Sequence, residues 1–121
     1  MKKYLSAIII IIVLFASCNK SILKTGLIGK WKLTEALYDP GDGRGQWTRP
    51  SQLTTIEFTS GGIIKYNDNK PSVNYKVLSD SVLKISSTSN TVNIRYELDG
   101  NKLMLIPPCI EGCGEKYIRV N

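Results

Sequence analysis

Histidine is missing from all 121 residues of this sequence. Its absence removes the commonest general base, the commonest metal ligand and most nucleophilic triads. Cysteine occurs only three times, too few to furnish a four-ligand zinc site without help from acids. Acids are outnumbered, 10 against 16 Lys and Arg. Glu35, Glu57, Glu97, Glu111 and Glu115 fall on separate segments, and local sequence marks no two of them as an acid/base couple. The expectation is a protein that is not an enzyme and that carries neither a metal nor another cofactor. The basic residues form no dense run, so nucleic acid is not an expected partner. No stretch shows convincing helical periodicity, and long apolar runs are absent beyond the N-terminus.

That one run is the most specific signal in the chain. Met1-Lys2-Lys3 is a positive start, Leu5 to Phe15 is apolar and rich in isoleucine, and Ala16-Ser17 places small residues before Cys18. This pattern describes a secretory signal peptide over residues 1–17. The run falls well short of the ~20 residues a spanning helix needs. Removing residues 1–17 deletes Lys2 and Lys3 and no acid, which lowers the formal charge from +6 to about +4. Residues 18–28 then read as Cys18 and a short tether leading into the first strand. A domain of roughly 100 residues remains, spanning 29–121, the size of a small single core.

The organising stretch of that domain is Gly29-Lys30-Trp31-Lys32-Leu33, continuing to Tyr38. Trp31, Leu33 and Leu37 alternate with Lys30, Lys32 and Thr34, the pattern of a half-buried strand. A glycine at its head allows close approach of other backbone while the indole plugs one end of a barrel. Further alternating segments follow: Leu53 to Thr59, Ile63 to Tyr66, Val73 to Val77, Val82 to Ile85, Val92 to Leu98, Lys102 to Ile106 and Tyr117 to Val120. They are joined by turn formers such as Ser60-Gly61-Gly62, Ser79-Asp80 and Asp99-Gly100-Asn101. About eight strands at this spacing predict an all-β sandwich or an antiparallel up-and-down barrel.

Asp39 to Pro50 reads as one long Pro/Gly-rich loop carrying Trp47, Arg44 and Arg49. Such loops often bear function. Trp47 is placed to close the mouth of a barrel, to dock on a partner or to tuck back onto the rim. Asp39 and Asp42 lack the regular spacing and terminal Glu of a calcium loop. Cys109 and Cys113 are separated by three residues. In an exported protein so close a pair reads as a disulfide pinning the turn before the last strand. Redox pairs usually have two intervening residues at a helix start.

The segment Phe15-Ala16-Ser17-Cys18 resembles the lipobox of bacterial lipoproteins, in which the Cys after the cleavage site carries the acyl chains. Gly29-Lys30-Trp31 is similar to the Gly-x-Trp of the first lipocalin strand. Together with Ile56 to Gly62 and Cys109 to Tyr117, these segments resemble the small lipocalin-like domains of Gram-negative lipoproteins. The resemblance implies an eight-stranded up-and-down barrel, palmitate-type acylation at Cys18 and anchorage to the outer membrane, with the leaflet left open. By analogy it implies a small hydrophobic ligand. The chain departs from full lipocalins in its shorter strands, in lacking a helix before the last strand, and in showing no basic residue that clearly packs on the first-strand Trp.

Lumen candidates are Trp31, Leu33, Ile56, Phe58, Tyr75, Val77, Ile94 and Tyr96. Among these Trp31, Phe58, Tyr75 and Tyr96 are the ligand-contact candidates, with Trp47 as a lid. Buried phenols need polar partners, and a ligand is one source of them. Two function classes follow: a membrane-tethered barrel that takes a small hydrophobic or amphipathic ligand, and an envelope interaction module whose loops contact a protein or glycan.

Overall fold

The computed structural model describes residues 26–109 and 112–121. The expected signal peptide (residues 1–17), Cys18 and most of the expected tether lie outside the described residues. The chain forms β1 (Gly29–Tyr38), β2 (Gln46–Thr48), β3 (Thr55–Phe58), β4 (Ile63–Tyr66) and β5 (Val73–Val77). It continues through β6 (Val82–Ser86), β7 (Thr91–Asp99), β8 (Lys102–Ile106) and β9 (Cys113–Val120). All pairings are antiparallel, in the order β2-β1-β3-β4-β5-β6-β7-β8-β9, and a β1–β9 ladder closes the sheet on itself. The result is an all-β, eight-stranded up-and-down barrel with β2 as an extra strand on its outside.

Period-two alternation builds this barrel directly. Inward residues Trp31, Ile56, Phe58, Ile64, Tyr75, Leu83, Ile94, Tyr96, Leu103, Leu105 and Tyr117 are all buried. Phe58 and Tyr75 meet edge to face, with ring centroids 5.0 Å apart, a favoured aromatic geometry. Leu27 is fully buried in the same core, so the end of the tether belongs to the barrel. Cys109 and Cys113 form a disulfide with Cα atoms 6.1 Å apart. It ties the β8–β9 connection to the first residue of β9.

Three local details differ from the simple alternating pattern. The register with β9 shifts between Leu33 and Glu35, a bulge that reverses the faces beyond it. Leu37 therefore pairs with Gly114 on the outer side, not with Trp31 and Leu33 on the inner. The stretch from Asp39 to Pro50 is not all loop, because Leu37 pairs with Trp47 in the short β2 ladder. Finally, a basic residue does pack on the first-strand tryptophan. The Arg119 guanidinium carbon lies 4.3 Å from the Trp31 ring centroid.

That contact seals one end of the barrel. Trp31 Nε1 donates to the Leu27 carbonyl at 2.9 Å. Arg119 Nη1 donates to the Ile28 carbonyl at 2.9 Å, and Nη2 donates to the Gly26 carbonyl. Three successive carbonyls are thus held by one stacked pair of side chains. Gly29 makes room for it: the residue has φ +135°, and an added Cβ would lie 2.7 Å from Arg119 Nη1. The glycine accommodates a side chain here, not a neighbouring backbone.

Arg119→Met keeps most of the unbranched stem but loses two charged hydrogen bonds and the cation–π contact, and is expected to cost at least about 2 kcal/mol. Gly29→Ala should destabilise in the same direction, through both its positive φ and the Arg119 clash. Urea unfolding of each variant checks this, and unchanged midpoints would refute the role given to the stacked pair.

Candidate functional site

The barrel has two dissimilar ends. At the sealed end lie Gly26 to Gly29 and the β3–β4, β5–β6 and β7–β8 turns. At the other lie the longer connections β1–β2, β2–β3, β4–β5 and β8–β9, together with β6–β7. Four of the five ligand-contact candidates belong to the packed body of the barrel. Trp31 and Phe58 are fully buried there. The Tyr75 hydroxyl donates to the Thr59 carbonyl at 2.7 Å, and the Tyr96 hydroxyl donates to the Ser79 carbonyl at 3.0 Å. Both acceptors sit in turns of the sealed end. These phenols satisfy their polar groups within the protein, so their hydroxyls do not need a ligand.

Seven inward side chains pack on the core yet remain partly accessible: Leu33, Tyr66, Val73, Ile85 and Val92 toward the long-loop end, and Val77 and Leu98 beside turns of the sealed end. The parity of β9 adds Glu115 to this inner wall, since it pairs with the inward Leu105 and lies two residues before the inward Tyr117. The Tyr117 hydroxyl donates to Glu115 Oε2 at 2.6 Å. Burial pushes the Tyr117 phenol far up, and the neighbouring Glu115 carboxylate adds to the effect. Burial also raises Tyr66, with Glu115 as the next cause. Tyr66 stands on β4 and Glu115 on β9, three ladders apart, so their coupling runs across the lumen.

Lys70 completes the rim. Its Nζ lies 2.8 Å from Asp68 Oδ2 and 5.9 Å from the centroid of the Tyr66 ring. The Asp68 hydrogen bond raises the Lys70 ammonium and lowers the Asp68 carboxyl. Sequence reasoning missed Tyr66 and Glu115. Tyr66 was legible, because it continues the alternation of Ile64. Glu115 was hidden because polar residues are read as outward by default, and only the strand's start at Cys113 sets its face.

Trp47 is not a lid. It lies on the outer wall, where an added Cβ on Gly114 would meet its Cη2 at 2.7 Å. Lys116 Nζ sits 3.9 Å from the Trp47 ring centroid and 3.0 Å from Glu35 Oε2. Beside this stack a groove of about 540 Å³ runs between Lys32–Glu35 and Arg49–Leu53. A second, of about 370 Å³, is lined by Glu97, Met104, Lys116 and Ile118 among others. In the β1–β2 loop, Asp39 accepts hydrogen bonds from the amides of Gly41, Gly43 and Gly45. These bonds, led by Gly41, hold its carboxyl below the usual value. Asp39 therefore organises its own loop. Among the described residues, no group of three or more Cys, Asp or Glu is placed to hold a metal.

No family model matches this sequence, and no curated protein matches it.

Tyr66, Tyr75, Tyr96 and Tyr117 all have raised phenol pKa values, with burial as the first cause. Below about pH 10 these phenols are protonated in both folded and unfolded chains, and their stabilisation is intact. Above it the unfolded chain ionises first, so stability falls as pH rises. Denaturant midpoints should drop on the alkaline side, and Tyr117→Phe should flatten that drop. A midpoint independent of alkaline pH would contradict the burial. In a separate test, Gly114→Val should dislodge Trp47 and red-shift its fluorescence while leaving far-ultraviolet circular dichroism unchanged.

Proposed function

We propose that this protein is an exported, lipid-anchored barrel of the cell envelope that holds a small hydrophobic or amphipathic molecule in its long-loop half. Acylation at Cys18 would tether it to the outer membrane of a Gram-negative cell, because several acyl chains on one residue anchor stably where one is marginal. The role is binding, not catalysis. The observation that carries this reading is the cluster of inward side chains near the long loops, Leu33, Tyr66, Val73, Ile85 and Val92, that pack on the core and stay partly accessible, more of them than at the sealed end, where Val77 and Leu98 do so. An apolar wall left accessible beside a few polar groups is the usual make-up of a small-molecule site.

A second reading has its own support. The Trp47–Lys116–Glu35 stack and the flanking grooves lie on the outside of the barrel. They suit a protein or glycan partner better than a ligand in the lumen, since tryptophan and an adjacent cation are common anchors in such contacts.

Native mass spectrometry of the mature chain, released from mild detergent, separates the two. The first reading expects an adduct of a few hundred daltons that is lost on unfolding and that Val92→Trp, which crowds the inner wall, prevents. An apo mass unaltered by any lipophilic probe would reject it. Labelling with a palmitate analogue should mark the wild-type chain and not Cys18→Ser.

A further inference from the structure

Strands β2 and β3 share one edge of β1. β3 pairs along it from Gly29 to Lys32 and β2 from Ala36 to Tyr38, while β9 runs along the opposite edge. Residues 33–35, between the two, have no ladder partner on that edge among the described residues. The Leu33 amide instead reaches the Thr54 carbonyl, at 2.9 Å. Three strand residues extend about 10 Å, whereas the six from Arg49 to Thr54, between β2 and β3, can reach about 20 Å. The surplus bows outward, helped by Pro50, which has no amide to give to a ladder. The space between the bow and β1 is the groove of about 540 Å³, a volume within the range of small-molecule sites.

The uncompensated charge of this groove is positive. Lys32 and Arg49 line it and are exposed. Neither pairs with an acid among the described residues, where the ion pairs are Arg44–Asp42, Lys70–Asp68 and Lys116–Glu35. Glu35 also lines the groove, but Lys116 neutralises it while stacked on Trp47. Ser51 and Gln52 add a hydroxyl and an amide, and Pro50 and the exposed Leu53 add apolar surface.

We infer that this groove binds an acidic sugar, with its carboxylate or phosphate against Arg49 and Lys32, its hydroxyls against Ser51 and Gln52, and its carbon face on Pro50 and Leu53. The inference rests on the outer-wall reading above and names the class of molecule that wall would take. A guanidinium fork matches an oxyanion in shape, and the hydrogen bonds between them are about twice as strong as neutral ones. A neutral sugar leaves both cations unanswered. The tether joins the barrel at the sealed end, and the groove lies further along β1, away from an anchoring membrane. That position suits a glycan better than an anionic lipid headgroup.

The test is amide shift mapping of the isotopically labelled mature chain, in a zwitterionic detergent without sugar, with glucuronate, a glucose phosphate and glucose. An acidic sugar should give saturable shifts at Thr34, Ser51, Gln52 and Leu53, with Tyr66 and Val92 in the lumen unmoved. It should bind at least about tenfold more tightly than glucose, the size expected of hydrogen bonds to a charged group. A response to one anion alone supports the site and identifies the oxyanion. Arg49→Gln should abolish the preference and Lys32→Gln should weaken it. Both side chains are exposed, so the unfolding midpoints should stay in place. Equal affinity for all three sugars, or a preference that survives both variants, overturns the acidic-sugar site and leaves the outer wall to a protein partner. The same amides moved by anionic lipid, and by neither acidic sugar, would reassign the groove to a headgroup. Groove amides unmoved by every probe overturn the site, and a lumenal adduct in the native spectrum would then overturn the outer-wall reading with it.

Discussion

The stacked pair of Trp31 and Arg119 is the contact on which the rest of the barrel depends. One residue comes from the first strand and the other from the last, so their stacking reinforces the β1–β9 seam that turns a sheet into a barrel. The donors of the pair take up the carbonyls of Gly26, Leu27 and Ile28. Those groups would otherwise end in the apolar floor without partners, at a cost of about 1–3 kcal/mol each. Their capture draws Leu27 into the core and positions Gly29, whose missing side chain leaves the space that the guanidinium fills. Removing any one element of this arrangement exposes the others.

A sealed floor also determines where anything could bind. The phenols of Tyr75 and Tyr96 donate to turn carbonyls at the closed end, which fixes the floor turns to the barrel wall. Phe58 and Leu83 fill the space between them. Apolar side chains near the long loops, Leu33, Val73, Ile85 and Val92, lack such a cap and stay partly accessible, as do Val77 and Leu98 at the edge of the floor. Glu115 also faces inward, and its carboxylate accepts the Tyr117 hydroxyl.

Much of this was legible in the sequence. Strict alternation in Val92 to Leu98 and Leu53 to Thr59, together with glycine and aspartate turns, pointed to an antiparallel sandwich or barrel and to most of its core, and the resemblance of Gly29-Lys30-Trp31 to the first lipocalin strand favoured the barrel. The close spacing of Cys109 and Cys113, read with the expectation of an exported protein, pointed to the bridge that the structure contains. What escaped has a physical cause in each case. The bulge after Leu33 is set by the pairing with β9, and no local signal announces that Leu37 will turn outward. β2 is three residues long and has no alternation of its own, existing only because Leu37 offers Trp47 a partner. Arg119 looks like any outward basic residue until the opposite strand places Trp31 beneath it. Glu115 and Tyr66 become neighbours across the lumen only when the sheet closes.

The claim that the lumen's long-loop half is the binding surface is tested most directly by backbone amide shift mapping of the isotopically labelled protein during titration with a soluble amphipathic probe. The account predicts saturable shifts concentrated at Leu33, Tyr66, Ile85, Val92 and Glu115, with Trp47, Met104 and Ile118 on the outer wall unmoved. Shifts confined to that outer wall, or no saturable shifts at all, would contradict it and leave the exterior grooves as the place to seek a partner.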